Sequence, residues 1–175
     1  MICPYCNQAN FPGNDYCDHC QQTLMVFDVP RGDDRLQAAL LHEPISRLCP
    51  KKPETVLADA SLLSALNIMC AKEIGALLVV DRYAHLVGII TERDYLERVI
   101  DNNLQLSEQL VSSVMTANPE TVSPTHSLAL ALQKMDIGGY RHLPVVEEDL
   151  HPVGIISVRD IIRFTMQISE GSETI

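Results

Sequence analysis

Tryptophan is absent, and aromatic residues make up only 5% of this 175-residue chain. That leaves no stacking platform of the kind that binds single-stranded nucleic acid. No apolar run approaches the roughly 20 residues that a membrane-spanning helix needs. No basic stretch precedes an apolar one at the start, where Cys3 already follows Met1 and Ile2, so a secretory leader is not expected. Positive charge is also scarce: Lys and Arg total 13 against 23 Asp and Glu, a formal net charge of −10. Residues 1–30 hold Asp15, Asp18 and Asp28 but no Lys or Arg, and the first basic residue is Arg31. This charge balance argues against general affinity for nucleic acid or anionic membranes. What is abundant is Leu, Ile, Val and Ala within a 46% hydrophobic fraction. That is enough for one ordinary domain and a small appendage. The expected compartment is the cytoplasm, where thiols stay reduced and spaced cysteines bind metal or do chemistry.

Four of the six cysteines crowd the N-terminus. Cys3 and Cys6 form one C-x2-C pair, and Cys17 and Cys20 form a second. Two such pairs facing one another place four thiolates at the corners of a tetrahedron, which a structural zinc ion requires. Ile2, Tyr5, Phe11 and Tyr16 are too few to make a core, so metal binding would supply much of the folding energy. A left-handed residue is expected after each second cysteine. Asn7 suits that place well and Gln21 less well. Pro12-Gly13-Asn14-Asp15 signals a turn between the arms. His19 is a bystander, because the thiolates complete the set. The competing reading is two disulfides or free thiols. The segment resembles the zinc ribbon and rubredoxin-like family. That resemblance implies contacts to DNA, RNA or protein, and allows iron in place of zinc. The lack of basic residues favours a structural or protein-contact role.

Residues 25–43 read as a linker between the 1–24 ribbon and the rest. Pro30-Arg31-Gly32-Asp33 breaks the chain, and Asp33 or Asp34 is placed to cap a short helix. Leu36, Ala39, Leu40 and Leu41 give that helix an apolar side to dock, and it ends before Pro44.

Beyond the linker the sequence repeats itself. Residues 52–95 align without a gap on 118–161, an offset of 66. Identical pairs run from Pro53/Pro119, Glu54/Glu120 and Thr55/Thr121 through Leu77/Leu143 and Val79/Val145 to Gly88/Gly154, Arg93/Arg159 and Asp94/Asp160. Composition alone does not produce so long a register, and two copies of one unit are implied. Each reads β-α-β-β-α. In the first, Thr55-Val56 is a brief strand and Asp59 or Ser61 opens a helix that ends near Gly75. Strands follow at 76–80 and 86–90, then a helix from Thr91 toward Ile100. In the second, the helix begins near Ser127 and breaks at Gly138-Gly139. Strands at 142–146 and 152–156 precede a helix from Ser157. The strand runs are too continuously apolar to alternate, so both faces should be covered. Cys49 and Cys70 fit as small buried hydrophobes. His42, His85, His126 and His151 read as scattered loop or surface residues.

The sharpest repeated motif is Gly88-Ile-Ile-Thr91-Glu-Arg93-Asp94 with its twin Gly154-Ile-Ile-Ser157-Val-Arg159-Asp160. Thr-x-x-Asp and Ser-x-x-Asp have the form of helix capping boxes. Capping is the ordinary role of such a motif; Asp in place of the usual Glu, and a Gly three residues ahead that leaves a gap beside the strand, leave a binding role open beside it. With IGALLVVD and RHLPVV, these motifs make residues 44–168 resemble a tandem pair of cystathionine-β-synthase (CBS) domains, a Bateman module. The resemblance implies an α+β fold with two β-α-β-β-α repeats packed about a pseudo-twofold, spanning 44–106 and 107–175. It implies AMP, ADP, ATP, NAD or S-adenosylmethionine in two clefts between the domains, and a homodimer. Carried over by position, Thr91 and Asp94 serve one cleft and Ser157 and Asp160 the other, with the carboxylate on the ribose hydroxyls. Arg141 and His142 are candidates for phosphate and complete the Asp94 cleft, the likelier one to be filled. The first repeat has uncharged Gly75-Ala76 at their place. Arg93 and Arg159 are further candidates, with surface salt bridges as their ordinary role. Thr55 and Thr121 would line the adenine.

The function expected is therefore an adenine-nucleotide sensor that relays occupancy to a protein partner through the ribbon or a dimer face. The competing functions are a nucleic-acid-binding transcriptional regulator and an iron-loaded redox protein. No nucleophile–base pair or open metal site marks the chain as an enzyme.

Overall fold

The structure, a computed structural model, describes residues 2–11, 14–24, 35–102 and 104–169. The expected break at 30–33, the caps Asp33 and Asp34, and part of the 12–15 turn lie outside them. In chain order the elements begin with helix α1 (Arg35–His42), a 3-10 turn (Ile45–Leu48), β1 (Thr55–Leu57) and α2 (Leu62–Lys72). Strands β2 (Ala76–Val80) and β3 (Leu86–Thr91) follow, then α3 (Glu92–Asp94), which runs into a π-helical stretch (Tyr95–Ile100). Then come α4 (Val111–Val114), β4 (Thr116–Ala117), α5 (Leu128–Gly138), β5 (His142–Val146), β6 (Pro152–Ser157) and α6 (Val158–Ser169). No helix among the described residues is long and apolar enough to cross a membrane.

Local chemistry sets the repeated helices. The hydroxyl oxygen of Ser61 accepts the Ser64 N–H at 3.2 Å and starts α2. Ser127 does the same for Leu130 at α5, also at 3.2 Å. Such caps satisfy donors that the first helical turn cannot. Each helix ends on a left-handed residue, Glu73 at φ 52° and Gly139 at φ 66°. Thr55-Val56 extends as β1, whereas its twin at 121–122 is reduced to one bridge position at Val122.

The chain divides into two compact units. One takes Lys51–Thr121 and Pro144–Ile155; the other takes Met1–Pro50, Val122–Leu143 and Ile156–Ile175. The first holds a four-stranded sheet in the order β1-β2-β3-β4. Strands β1 and β2 are parallel (Val56 beside Val79), and β2–β3 and β3–β4 are antiparallel (Leu78 beside Ile89, Gly88 beside Ala117). On one face Val56, Leu77, Val79 and Ile90 pack against Leu62, Ala65 and Met69 of α2, with Tyr95, Val99, Val111 and Val114. On the other, Ala76, Leu78, Leu86 and Ile89 meet Val146 and half-buried Ile155. Every residue of β2 is buried, as its unbroken apolar run implies.

The gap that Gly88 suggests in the sequence is closed by the chain itself. A Cβ there would lie 2.4 Å from Met115 Sδ and 3.2 Å from the Thr116 carbonyl oxygen. The missing side chain lets β4 close on β3, so Gly88 serves sheet packing.

In the second unit α1 packs against α5 and α6, and the 3-10 turn packs against α6. The segment before β1 braces α5 as the segment before β4 braces α2. Leu128 N–H donates to Glu43 O at 3.1 Å, and Leu62 N–H to Gln109 O at 2.9 Å. The bridges Pro44–Ser127 and Ser61–Leu110 repeat the same relation. The 66-residue duplication thus reaches back beyond the stretch of evident identity.

Cys49 and Cys70 are exposed, not buried. Cys70 stands one position past Met69, the last core residue of α2, and a step of about 100° turns it outward. Cys49 sits in a left-handed cap at φ 48°, just past the 3-10 turn. The histidines are less scattered than the sequence suggests. His85 and His151, equivalent in the two repeats, stack edge to face with ring centroids 4.9 Å apart. Each ring lies against a turn carboxylate, Asp81 at 3.3 Å and Asp149 at 2.8 Å.

Candidate functional site

The two N-terminal knuckles are copies of one another 14 residues apart. Asn7 and Gln21 both adopt the left-handed conformation, at φ 58° and 60°. Their N–H groups donate to the carbonyls of Cys3 (3.0 Å) and Cys17 (2.9 Å). Backbone N–H groups of Tyr5 and His19 point at Cys3 Sγ and Cys17 Sγ, each at 3.4 Å. The folds of the two arms bring Cys3 Sγ to 3.6 Å from Cys20 Sγ and Cys6 Sγ to 3.5 Å from Cys17 Sγ, with all four within 4.8 Å of one another. A tetrahedron with metal–sulfur bonds of ~2.3 Å has edges of about 3.8 Å. The donor set therefore fits a metal that favours sulfur. Exposed His19 is not part of the cluster.

One residue breaks the symmetry of the arms. Asn10 is buried, and its amide donates to Cys17 Sγ at 3.4 Å and to Gln8 O at 2.9 Å, while its oxygen accepts the Asp18 N–H at 2.9 Å. The same position in the second arm is Leu24. Burial pushes the Cys17 thiol up, but the N–H groups of Cys20 and His19 and the Asn10 amide outweigh it and bring it to about 6. Burial raises Cys20 to about 11 and lifts Cys6 further. Metal entry at neutral pH must displace protons from Cys6 and Cys20, so binding tightens as pH rises.

The ribbon is seated on the start of α5. Leu130 is buried against Cys3, Cys6, Cys17 and Leu24. Ser127 N–H donates to Tyr5 O at 3.1 Å, and the Asn7 side-chain amide reaches Thr125 O at 3.4 Å. On the other side of the same loop, Ile45 N–H donates to His126 O (2.8 Å) and Ser46 N–H to Pro124 O (2.9 Å). His126 closes this loop by accepting the Ser123 N–H on Nδ1 at 3.1 Å. Burial, and then the charge of Lys134, hold its pKa below the ordinary imidazole value. Below about pH 6.5 the unfolded chain therefore takes up a proton that the folded chain resists. This contribution to stability is fully present above that pH and declines as pH falls through it. Melting temperatures across a pH series should show that decline, and His126→Gln should flatten it. An unchanged slope in the variant would assign the effect elsewhere.

The two hydroxyl–aspartate motifs take the same form. Thr91 N–H and Oγ1 donate to Asp94 Oδ2 at 2.8 and 2.7 Å. Ser157 N–H and Oγ donate to Asp160 Oδ2 at 2.8 and 2.6 Å. Both are capping boxes, one oxygen deep. The other oxygen faces an arginine that sequence reasoning missed: Arg98 Nη1 is 3.4 Å from Asp94 Oδ1, and Arg163 Nη1 is 3.9 Å from Asp160 Oδ1. Arg98 also donates to Val114 O and approaches Thr116 Oγ1 at 3.4 Å. Neither arginine has an arginine at its repeat-equivalent place, since Phe164 answers Arg98 and Glu97 answers Arg163, so the duplication gave no signal for them. A carboxylate has about four acceptor positions, which leaves Oδ1 of each aspartate able to take a ligand hydroxyl. Asp94 is buried, and Asp160 is half-buried.

The remaining candidates fall in different places. Exposed Arg93 pairs with Glu97 at 2.6 Å, the ordinary surface role. Arg159 is exposed on the first turn of α6. His142 opens β5, and the carbonyl of Arg141 just before it accepts the Val158 N–H at 3.1 Å, directly beside the Ser157 motif. The uncharged twin of Arg141, Gly75, accepts the Glu92 N–H at 3.1 Å beside Thr91. Thr55 is exposed on β1, and Thr121 is half-buried.

A family model described as "CBS domain" matches residues 45–101 and 111–166. Over 101 residues the chain is 46% identical to the CBS domain-containing protein CBSCBSPB5 of Arabidopsis thaliana, a match covering 58% of this chain and 18% of that one. It is 29% identical over 136 residues to a 17.7 kDa protein of the bps2 3' region of Acidianus ambivalens, covering 75% and 81%. The chain spans about a fifth of the length of the plant relatives it matches. Among solved structures, the CBS domain pair of protein MJ0100 in complex with 5'-methylthioadenosine and S-adenosyl-L-methionine superposes with a TM-score of 0.65 at 26% identity. That likeness covers 71% of this chain and 97% of the other.

Proposed function

Since this chain belongs to the CBS domain family, we propose that it is a cytoplasmic regulatory protein, not an enzyme, that binds an adenine nucleotide or related adenosyl ligand at its hydroxyl–aspartate motifs. The observation that carries this reading is the duplication of one geometry. Each repeat holds an aspartate at a helix start, one oxygen fixed by a hydroxyl and a backbone N–H, the other turned to an arginine. A carboxylate oxygen so placed can accept the hydroxyls of a ribose diol, and a helix start favours the phosphate that accompanies it. The adenosyl ligands of MJ0100 support the ligand class. The ribbon would carry zinc, with iron as the alternative, in a structural and protein-contact role.

The test is a thermal-shift panel of the metal-loaded protein with AMP, ADP, ATP, NADH and S-adenosylmethionine, beside Asp94→Ala and Asp160→Ala. Each variant loses a cap worth about 1 kcal/mol, so each is compared with its own unliganded baseline. A ligand at about 100 times its dissociation constant adds roughly 2.7 kcal/mol. The expected result is a shift with one of these ligands that Asp94→Ala reduces more than Asp160→Ala does. No shift with any of them would make the repeats a scaffold.

Self-association is the second part of the reading. Leu96 and Ile100 after α3, and their repeat-equivalents Ile162 and Met166 on α6, are each more than half exposed. The same apolar pair, one turn apart, stands outward on both repeats, which suits burial against a second copy. Sedimentation should give a dimer, and Leu96→Lys with Ile162→Lys should give a monomer. A monomeric parent protein would refute it.

A further inference from the structure

We propose that the four-cysteine ribbon is a clamp on the second repeat alone, so that metal loading and ligand binding at Ser157–Asp160 are thermodynamically linked. The linkage rests on the ligand reading above; the clamp does not. Its foundation is a difference between two otherwise matched helices. Leu130 of α5 is buried in the sulfur cluster, and its repeat-equivalent on α2, Ser64, is exposed. The duplicated helix carries a large apolar side chain, in place of a hydroxyl, where the knuckles land.

The contact continues into the loop ahead of Leu130. Tyr5, between Cys3 and Cys6, takes the N–H of the α5 cap residue Ser127 on its carbonyl, and Asn7 holds Thr125. Three of the other four buried residues in Leu130's cluster are cysteines, and half-buried Cys20 packs against them. Their positions depend on the metal, because the ribbon has almost no other interior. Without it the floor under Leu130 and the acceptor for Ser127 lose their support.

From α5 the path to the ligand motif is short. Helix α5 packs on α6, which carries Asp160, and both pack on α1. The chain leaving α5 at Gly139 reaches Arg141 two residues on, and its carbonyl holds the Val158 N–H between Ser157 and Asp160. Order imposed on α5 is order imposed on the motif. By reciprocity, a ligand that stabilises the motif must tighten metal binding by the same factor.

The experiment is hydrogen exchange on the full chain, zinc-loaded and after chelation, with α2 as the internal control. Amides of Ser127–Gly138 should exchange at least about fivefold faster after stripping, while those of Leu62–Lys72 keep their rates. Leu130→Ser, which copies the first repeat and leaves every cysteine in place, should remove the difference with zinc still bound. Equal acceleration of both helices, or none in either, overturns the clamp. For the linkage, 5'-methylthioadenosine is titrated into Asp94→Ala and Asp160→Ala, each with and without zinc. Affinity in Asp94→Ala should fall at least about fivefold on stripping, and affinity in Asp160→Ala should not. Unchanged affinity in Asp94→Ala overturns the linkage. Absence of binding in every state overturns the ligand reading and the linkage with it, while the exchange rates still decide the clamp.

Discussion

Chelating the metal is expected to unfold residues 2–24 while the four-stranded sheet survives. The ribbon's buried residues are Cys3, Cys6, Cys17, Leu24 and Asn10, and three of these belong to the four-thiol cluster that could hold a metal. Phe11, Ile2 and Tyr16 point outward and contribute no core. Folding free energy must therefore come from the metal, and structural zinc in small finger peptides supplies apparent values of about 10–16 kcal/mol at neutral pH. Amide spectra should lose the dispersed signals of the knuckles, including those of left-handed Asn7 and Gln21, and keep those of β2 and β3. Cys6→Ser should do the same without chelator. Zinc affinity should rise with pH, because burial holds protons on Cys6 and Cys20 that the metal must displace. Knuckle signals that persist in chelator would mean that the thiols hold the ribbon without metal.

Replacing Leu77 or Leu78 with Ala is expected to cost about 2–5 kcal/mol in either case. The two side chains point to opposite faces of β2, and both are fully buried. Leu77 packs with Leu62, Ala65 and Met69 of α2; Leu78 packs with Leu86, Ile89 and Val146. A strand with one wet face would show one large and one small cost. Denaturant unfolding of both variants distinguishes the cases, and a near-neutral Leu78→Ala would mean that Val146 and Ile155 do not cover that face.

That equality was already written in the run Ala76–Val80, where nothing polar alternates. The start of each long helix was legible for a similar reason, since a serine stands before an apolar stretch and its hydroxyl fills an orphan donor. The cysteine spacing located the four-thiol cluster that could hold a metal, and backbone geometry alone joins Gln21 to Asn7 in the left-handed region. Less was legible where the two repeats diverge. The bracing segments 43–48 and 109–114 pair Glu43 with Gln109 and Pro44 with Leu110, so identity fades although the backbone bonds repeat. Arg98 and Arg163 act through their reach across a helix turn, at different spacings from their aspartates, and a comparison by position misses both. Gly88 misled because a missing side chain records that something approaches closely, and here it is Met115 and the Thr116 carbonyl. Cys49 and Cys70 misled because a small side chain carries too little apolar surface to decide its own burial.

The route of the chain has a last consequence, for how such a protein can be divided. From one end to the other it enters the ribbon-bearing unit, leaves for the sheet at Lys51, returns at Val122, leaves again at Pro144 and returns at Ile156. A cut between the repeats would leave the sheet without the hairpin tip that supplies Val146 and Ile155. It would also leave α5 without the Glu43 carbonyl that caps Leu128. Each half would lack contacts that its own elements use, although each contains one whole copy of the repeat. The duplicated repeats have exchanged segments, so moving one of them to a new partner protein would divide contacts that moving both together would keep.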